Sequence, residues 1–320
     1  MKAIVCTKYG PPEVLQLKEV EKPTPKKNEI RIKIHATTAT SSDCILRGFN
    51  IPAWHPVGLM MGIMMGFGKP RNPILGLVAA GEVDSMGSDA KRFKIGDPVV
   101  AYTALSPTKI RLGTYAQYNC IPEDWLVVRK PSNLTYEEAA AIPYPGELAM
   151  FFLKKGDFKN RKNVLIVGAS GSIGTTAVQL TRHFGANVTG VCSTSNLELV
   201  RSLGAKEVID YTKEDYSKRS ERYDMILDAV PQQVADRKRL KSQAQNALTP
   251  DGKYVSIDDG IAKTSYEDLV LIMDLAKSGE FKPVIDKSYQ LEQMVEAHRY
   301  VETGHKKGNV VITVKQNKKT

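Results

Sequence analysis

The stretch VLIVGASGSIGTTAVQL, Val164 to Leu180, is the part of the chain whose reading decides the fold. Four apolar residues, Val164 to Val167, run straight into glycines at 168, 171 and 174, after which an amphipathic segment begins. An apolar run without alternation fits a strand buried on both faces, as in a parallel sheet. The glycines then put bare backbone at the N-terminus of a helix starting near Ser172. Aimed N–H groups and the positive end of the helix dipole hold a diphosphate there, provided nothing stands in its way. A side chain at Gly171 is expected to block that approach. The usual spacing is altered, because residues 169–174 read A-S-G-S-I-G, so the weight rests on the order strand, turn, helix. The competing reading is a tight turn of purely structural value.

Working outward, the helical run Tyr136–Ala141 precedes strand candidates at Val164–Val167, Val188–Val191, Glu207–Ile209, Met225–Leu227 and Tyr254–Ile257. Between them lie segments with apolar residues three apart, such as Leu197, Val200 and Leu203. Strand and helix in alternation predict a doubly wound parallel sheet. Residues before about 125 differ. Ile30–His35, Gly76–Val83, Asp97–Tyr102 and Thr114–Cys120 are short, alternating and separated by Pro and Gly, which predicts antiparallel β structure. The final run Val310–Val314 has no helix after it and is expected to return to that β domain. The expected division is therefore an α/β chain with a β-rich domain from 1–125 and 286–320, and a nucleotide-binding domain over 126–285.

At 320 residues the chain suits two domains rather than one core. Its net charge of +10 is spread along the chain, with a dense run only at Lys315, Lys318 and Lys319, so a solvated basic surface is expected and no nucleic-acid partner. The four cysteines, Cys6, Cys44, Cys120 and Cys192, form no CxxC pair, which suits a reducing compartment and argues against a structural zinc site. The N-terminus reads as a strand (Ala3–Thr7) rather than a secretory leader, and Val57–Phe67, broken by three glycines, is too short to span a membrane. A cytoplasmic protein with no membrane partner is the expectation.

Past the second strand, where an NAD site would carry Asp or Glu for the adenosine ribose, the residues are Cys192, Ser193, Thr194, Ser195 and Asn196. Hydroxyls and an amide there donate hydrogen bonds to a 2′-phosphate that a carboxylate would repel, so NADPH is favoured over NADH. Tyr211, just past the third strand, is placed to stack on the same end of the cofactor, or simply to pack.

Taken together, MKAIVCTKYGPPEVLQL, SSDCILRG, ILGLVAAGEV, FKIGDPV, GTYAQY, LTYEEAAAIP, VGASGSIGTTAVQL, SLGAKEVIDY and the closing PVIDKSYQLEQMVEAHRYVETGHKKGNVVI make the chain resemble, over nearly its whole length, the zinc-free medium-chain dehydrogenases/reductases of the quinone oxidoreductase (zeta-crystallin) type. The resemblance implies a GroES-like β domain built from both chain ends, a Rossmann domain between them, and NADPH in the cleft. It implies hydride transfer to a quinone or to the activated C=C bond of an enone or enal, with orientation and hydrogen bonds supplied by the protein. The cofactor-binding residues expected are Gly168, Ser170, Gly171, Ser172, Ile173, Gly174, Ser193, Asn196, Tyr211, Asp228, Ala229, Val230, Ile257 and His305, the last with Lys306 in the TGHKKG loop.

Several positions depart from the family pattern. Where zinc relatives place Cys, His and Cys or Asp on a catalytic metal, this chain has Thr40, Leu77 and Tyr144, and leucine cannot ligate. The N-x-x-D motif is Thr40-Ser41-Ser42-Asp43, a tyrosine of some relatives is Ile45, and the Thr of the usual LTA motif is Leu148. Relatives insert a sixth strand after the fifth, whereas Ile257 here leads through DDGIAKTS into a helix over Tyr266–Ala276, so a monomer or a homodimer of another kind is expected.

For polarising a substrate carbonyl, Tyr144 is the first candidate, followed by Thr40 and Tyr102, each with a packing role as the alternative. Asp43 reads as a structural residue that orients its loop, His55 as a surface histidine near the cleft mouth, and His35, His183 and His298 carry no catalytic motif. The methionine-rich run Gly58–Gly68 suits either a lid over an apolar substrate or, as the competing reading, a flexible surface loop or a partner-docking patch. The leading expectation is an NADPH-dependent reductase of enones, enals or quinones. The alternative is a weakly catalytic NADPH-binding redox sensor or interaction protein, which the changes at Ile45 and Leu148 permit. Alcohol oxidation is disfavoured because the hydroxyl proton then needs zinc or a tuned base.

Overall fold

The alternation of E-I-R-I-K-I-H, Glu29 to His35, is realised as a long strand, β3 (Glu29–Ala39), with Ile30, Ile32 and Ile34 fully buried. Arg31 and Lys33 face the other way and pair across to Asp84 and Glu82 at 2.6 and 2.7 Å. A computed structural model describes residues 1–49, 59, 62, 63, 65–106, 108–231 and 234–316. It divides into two units, one of Met1–Tyr144, Lys287–Glu302 and Val310–Thr320, the other of Pro145–Asp286 and Thr303–Asn309.

In the first unit β1 (Lys2–Cys6) pairs with β2 (Leu15–Glu19). The main sheet is antiparallel and is built on β3, which takes β4 (Val78–Met86) on one side, with β8 (Tyr118–Pro122) also pairing to its first half. β5 (Pro98–Tyr102) follows β4, and β9 (Leu126–Arg129) follows β5. A small hairpin joins β6 (Ala104–Ser106) to β7 (Lys109–Ile110). The run from Asn309 to Thr313, here β16, returns as expected: Val310 to Thr313 lie antiparallel to Ala39 to Ala36. β15 (Ile285–Gln290) precedes it in the same sheet. The strand expected at Thr114–Cys120 begins later, at Tyr118, since Thr114–Gln117 is spent on bonds to β1, with Ile4 donating to Tyr115 O at 2.8 Å. A helix over Ser41–Gly48 follows β3 directly.

In the second unit β10 (Asn163–Val167), β11 (Asn187–Cys192), β12 (Glu207–Asp210), β13 (Tyr223–Asp228) and β14 (Leu248–Ser256) form one parallel sheet in the order β12-β11-β10-β13-β14. Val164, Leu165, Ile166 and Val167 of the central β10 are all 0% exposed, so a run without alternation is right for its place. Each such side chain is worth roughly 1.5–3 kcal/mol in transfer from water. The order reverses between β10 and β13, which makes the space beyond their carboxyl ends the ligand crevice of this kind of sheet. Among the described residues the sheet has five strands, and the chain passes from β14 to the helix Tyr266–Ser278 without a sixth.

Candidate functional site

At the carboxyl end of β10 the chain turns at Gly168, whose φ is +77°, and enters the helix Ser172–His183 with Gly171 as its N-cap. The three glycines are bare for three different reasons. Gly168 takes a left-handed conformation, and a Cβ on it would stand 3.1 Å from the Ala229 carbonyl at the end of β13. A Cβ on Gly174 would lie 2.1 Å from Gly168 O, an impossible approach. Gly171 has ordinary extended backbone, and a Cβ there would meet nothing nearer than Gly168 O at 3.5 Å. The turn's own packing therefore explains Gly168 and Gly174 and leaves Gly171 unexplained. A group seated outside the protein surface, on the free N–H groups of the helix, does explain it, and a diphosphate fits that space and charge.

The remaining expected cofactor residues gather around this turn in unequal roles. Asn196 Nδ2 donates to Ser170 Oγ at 3.1 Å and to Ser193 Oγ at 3.2 Å, binding the turn to the end of β11. Ile173 is a buried residue of the first turn of that helix. Asp228 turns both carboxylate oxygens inward, accepting from Val230 N at 3.0 Å and from the Tyr254 hydroxyl. Ile257 N donates to Asp228 O at 3.0 Å, so Asp228, Ala229, Val230 and Ile257 share the rim beside Gly168. Tyr211 packs against the core of the unit, with the Arg239 guanidinium 5.8 Å from its ring centre. His305 is exposed, and its neighbour Lys306 makes the contact, donating from Nζ to Ser172 Oγ and to Gly308 O, both at 2.8 Å. Gly308 N in turn donates to Ser170 O, fastening this loop to the turn.

One residue near the cofactor turn escaped sequence reasoning. The carboxylate that Cys192–Asn196 lacks arrives from the adjacent strand, where Asp210 accepts from the hydroxyls of Thr194 and Thr212 and from Thr212 N. Those donors hold its proton affinity below the usual carboxylate range, and Lys213 stands 3.8 Å away. The one-to-one register of parallel β11 and β12, Cys192 against Asp210, carries the only signal, and it lies in the pairing rather than in either segment.

In the first unit the helix Ser41–Gly48 starts with a capping box: Thr40 Oγ accepts from Asp43 N, while Asp43 Oδ2 accepts from Thr40 N at 2.9 Å and from the Thr40 hydroxyl at 2.6 Å. The Thr40 proton is thus committed to Asp43, which leaves it no hydrogen to offer a substrate oxygen. Ser42, missed in the sequence although it lies in the same first turn, sits with Oγ 3.1 Å from the Tyr144 hydroxyl. Tyr102 packs edge-on to Tyr144, ring centres 6.5 Å apart. Burial raises the proton affinity of Tyr144 and keeps its hydroxyl protonated, so the Ser42–Tyr144 pair can present a donor.

The residues do not suit a catalytic zinc. Of the three positions where zinc relatives carry ligands, Leu77 has no donor atom, Thr40 is tied to Asp43, and Tyr144 is paired to Ser42. Among the described residues no three His, Cys, Asp or Glu side chains come together as ligands. His55, Met60, Met61 and Met64 lie outside the described residues. Among the described residues no helix is long and apolar enough to cross a membrane.

A GroES-like β unit and a parallel-sheet unit with a glycine turn define the class of two-domain dehydrogenases and reductases. Residues 26–132 match the alcohol dehydrogenase GroES-like domain, and residues 172–279 and 260–312 match zinc-binding dehydrogenase families. The chain is 34% identical to 2-methylene-furan-3-one reductase of Solanum lycopersicum, across 98% of this chain and 79% of that one. It is 31% identical to the chloroplastic NADPH-dependent alkenal/one oxidoreductase of Arabidopsis thaliana, with the same coverage. The quinone oxidoreductase of Coxiella burnetii superposes with a TM-score of 0.80 at 27% identity, covering 98% of this chain and 99% of that one. The chain belongs to the medium-chain dehydrogenase/reductase superfamily, among the quinone and alkenal/one oxidoreductases, and is an oxidoreductase.

Proposed function

We propose that the chain binds NADPH on the glycine turn and reduces a small hydrophobic substrate, either a quinone or the activated C=C bond of an enone or enal, without zinc. The observation that carries this reading is Gly171, bare where the fold itself would accept a side chain. Ser170, Ser172 and the Lys306 ammonium supply donors and positive charge for the diphosphate. Ser193 and Ser195 supply hydroxyls for the 2′-phosphate, and the ionised Asp210 beside Thr194 is the neighbouring group that opposes it. NADPH, once bound, supplies the hydride. Tyr144, oriented by Ser42, donates a hydrogen bond to the substrate oxygen that gains charge as the hydride arrives, and Leu77 and Tyr102 keep water from it. The similarity to an NADPH-dependent alkenal/one oxidoreductase supports the same cofactor and substrate class.

The test is the consumption of NADPH, followed by absorbance, with a panel of enones, enals and quinones before and after exhaustive chelation. Turnover that survives chelation and falls about 10–100-fold in Tyr144→Phe is expected. Tight NADPH binding with no turnover on any of them overturns the catalytic reading in favour of a redox sensor.

A further inference from the structure

Behind the Ser42–Tyr144 pair lies a line of buried polar groups that neither the cofactor turn nor the capping box accounts for. Asp43 is 0% exposed, and among the described residues its Oδ1 has no hydrogen-bond partner. Burial pushes the Asp43 carboxyl up to about 6, and the nearby Tyr115 hydroxyl opposes that rise. Tyr115 Oη lies 3.1 Å from Nε2 of His298, also 0% exposed, on the helix Met294–Glu302. On the far side of the ring, Nδ1 is 3.4 Å from Cys44 Sγ and 3.5 Å from a guanidinium nitrogen of Arg47. Arg47 goes on to Gly10 O at 3.1 Å and to Glu302.

These contacts admit one consistent set of donors. Arg47 carries only N–H groups, so Nδ1 of His298 is the acceptor and Nε2 carries the hydrogen. Nε2–H donates to Tyr115 Oη, and the Tyr115 O–H then points at Asp43. Burial and the neighbouring Arg47 push His298 down to about 3, which keeps the ring neutral and this assignment in place. Every hydrogen in the line thus points toward one carboxylate, which also accepts two bonds from Thr40. A carboxylate held from both sides in a dry interior has few alternative positions. Ser42 precedes Asp43 in the first turn of the same helix, so an Asp43 fixed in place fixes the backbone that carries the Ser42 hydroxyl.

We propose that Tyr115 and His298 are positioning residues for the Ser42–Tyr144 hydroxyl pair, acting through Asp43. This rests on the reductase reading given above, in which that pair polarises the substrate oxygen. Cys44 and Arg47, from the same helix as Asp43, set the hydrogen of His298 and so complete the line. None of these groups touches substrate or cofactor in this role. Their effect is on kcat, through the aim of a hydroxyl they do not contact.

The experiment compares Tyr144→Phe, Ser42→Ala, Tyr115→Phe, the double variant Ser42→Ala/Tyr115→Phe, His298→Gln and His298→Leu in the full-length protein, per mole of folded protein. The readouts are kcat and KM for one enone at saturating NADPH, the NADPH dissociation constant and the thermal midpoint. Tyr115→Phe is expected to lower kcat by about tenfold or more at unchanged NADPH affinity, and to cost nothing further once Ser42 is alanine. His298→Gln, whose amide can still donate from the Nε2 position, is expected to retain kcat where His298→Leu loses it. A Tyr115→Phe protein that melts earlier but keeps its kcat, or losses that multiply in the double variant, overturns the proposal while leaving the reductase reading standing. An unchanged kcat in Tyr144→Phe overturns that reading, and this proposal with it. Should His298→Leu fail to fold, Tyr115→Phe, which deletes one oxygen, decides alone.

Discussion

Gly171 and Gly174 are three residues apart and identical in chemistry, yet they are constrained by different things. At Gly174 an added methyl would overlap the Gly168 carbonyl at 2.1 Å, so Gly174→Ala forces backbone movement and is expected to cost about 1–3 kcal/mol or more. At Gly171 the same methyl has room and the backbone is extended, so Gly171→Ala is expected to melt like the parent while NADPH binding weakens by about tenfold. Calorimetric titration beside thermal melting distinguishes the two, and equal NADPH affinity in Gly171→Ala would remove the main support for the cofactor site. Both glycines stand out in the sequence, but their difference does not, because it depends on where the Gly168 carbonyl points. The same holds for Thr40. Its place at the start of a helix is legible, and its commitment to Asp43 instead of a substrate is visible only once the helix has formed.

At the level of elements, two helices of the second unit are joined by an uncomfortable contact. Glu147, on the helix Pro143–Lys155, is fully buried, accepts from Ser265 N at 2.8 Å through Oε2 and, among the described residues, has no partner for Oε1. Ser265 caps the helix Tyr266–Ser278, whose Asp268 is held by Lys154 at 2.6 Å. Burial, with Asp268 nearby, pushes Glu147 up to about 8, so the folded protein keeps a proton that the unfolded chain releases in the ordinary carboxylate range. Between those two values the folded state binds more protons, and its stability falls as pH rises through about 8, then levels off. Glu147→Gln keeps the shape without the charge. Its thermal midpoint is expected to gain on the parent steadily from acid to mildly alkaline pH, and a constant difference across that range would show that Glu147 does not carry the effect. The sequence reading places the second of these helices, as Tyr266–Ala276, and gives none over Pro143–Lys155. It was silent on their contact, since Glu147 and Ser265 are 118 residues apart.

For the molecule as a whole, the closing strand matters more than its length suggests. Val310, Val311 and Ile312 are at most 1% exposed, Val314 N donates to His35 O at 2.8 Å, and Gln117 Nε2 donates to Lys315 O at 2.9 Å. The two chain ends therefore stabilise a single unit. Val311→Asp would bury an unpaired carboxylate in that seam at a cost of several kcal/mol. Hydrogen exchange is expected to show the amides of β3 losing protection in this variant, and full protection would mean the seam is dispensable. By itself the sequence determined the parallel sheet, the strand, turn and helix around residue 171, and the return of the last strand. Burial periods of two and of unbroken apolar runs, and the backbone freedom of glycine, act over a few residues and survive in a linear reading. Only the tertiary structure decided that Tyr144 has Ser42 for a partner, that Thr194 meets Asp210, and that His298 stands behind Asp43 through Tyr115. Those are hydrogen bonds between groups that the chain separates and burial brings together. A polar side chain's partner is set by which other group has lost its water in the same place.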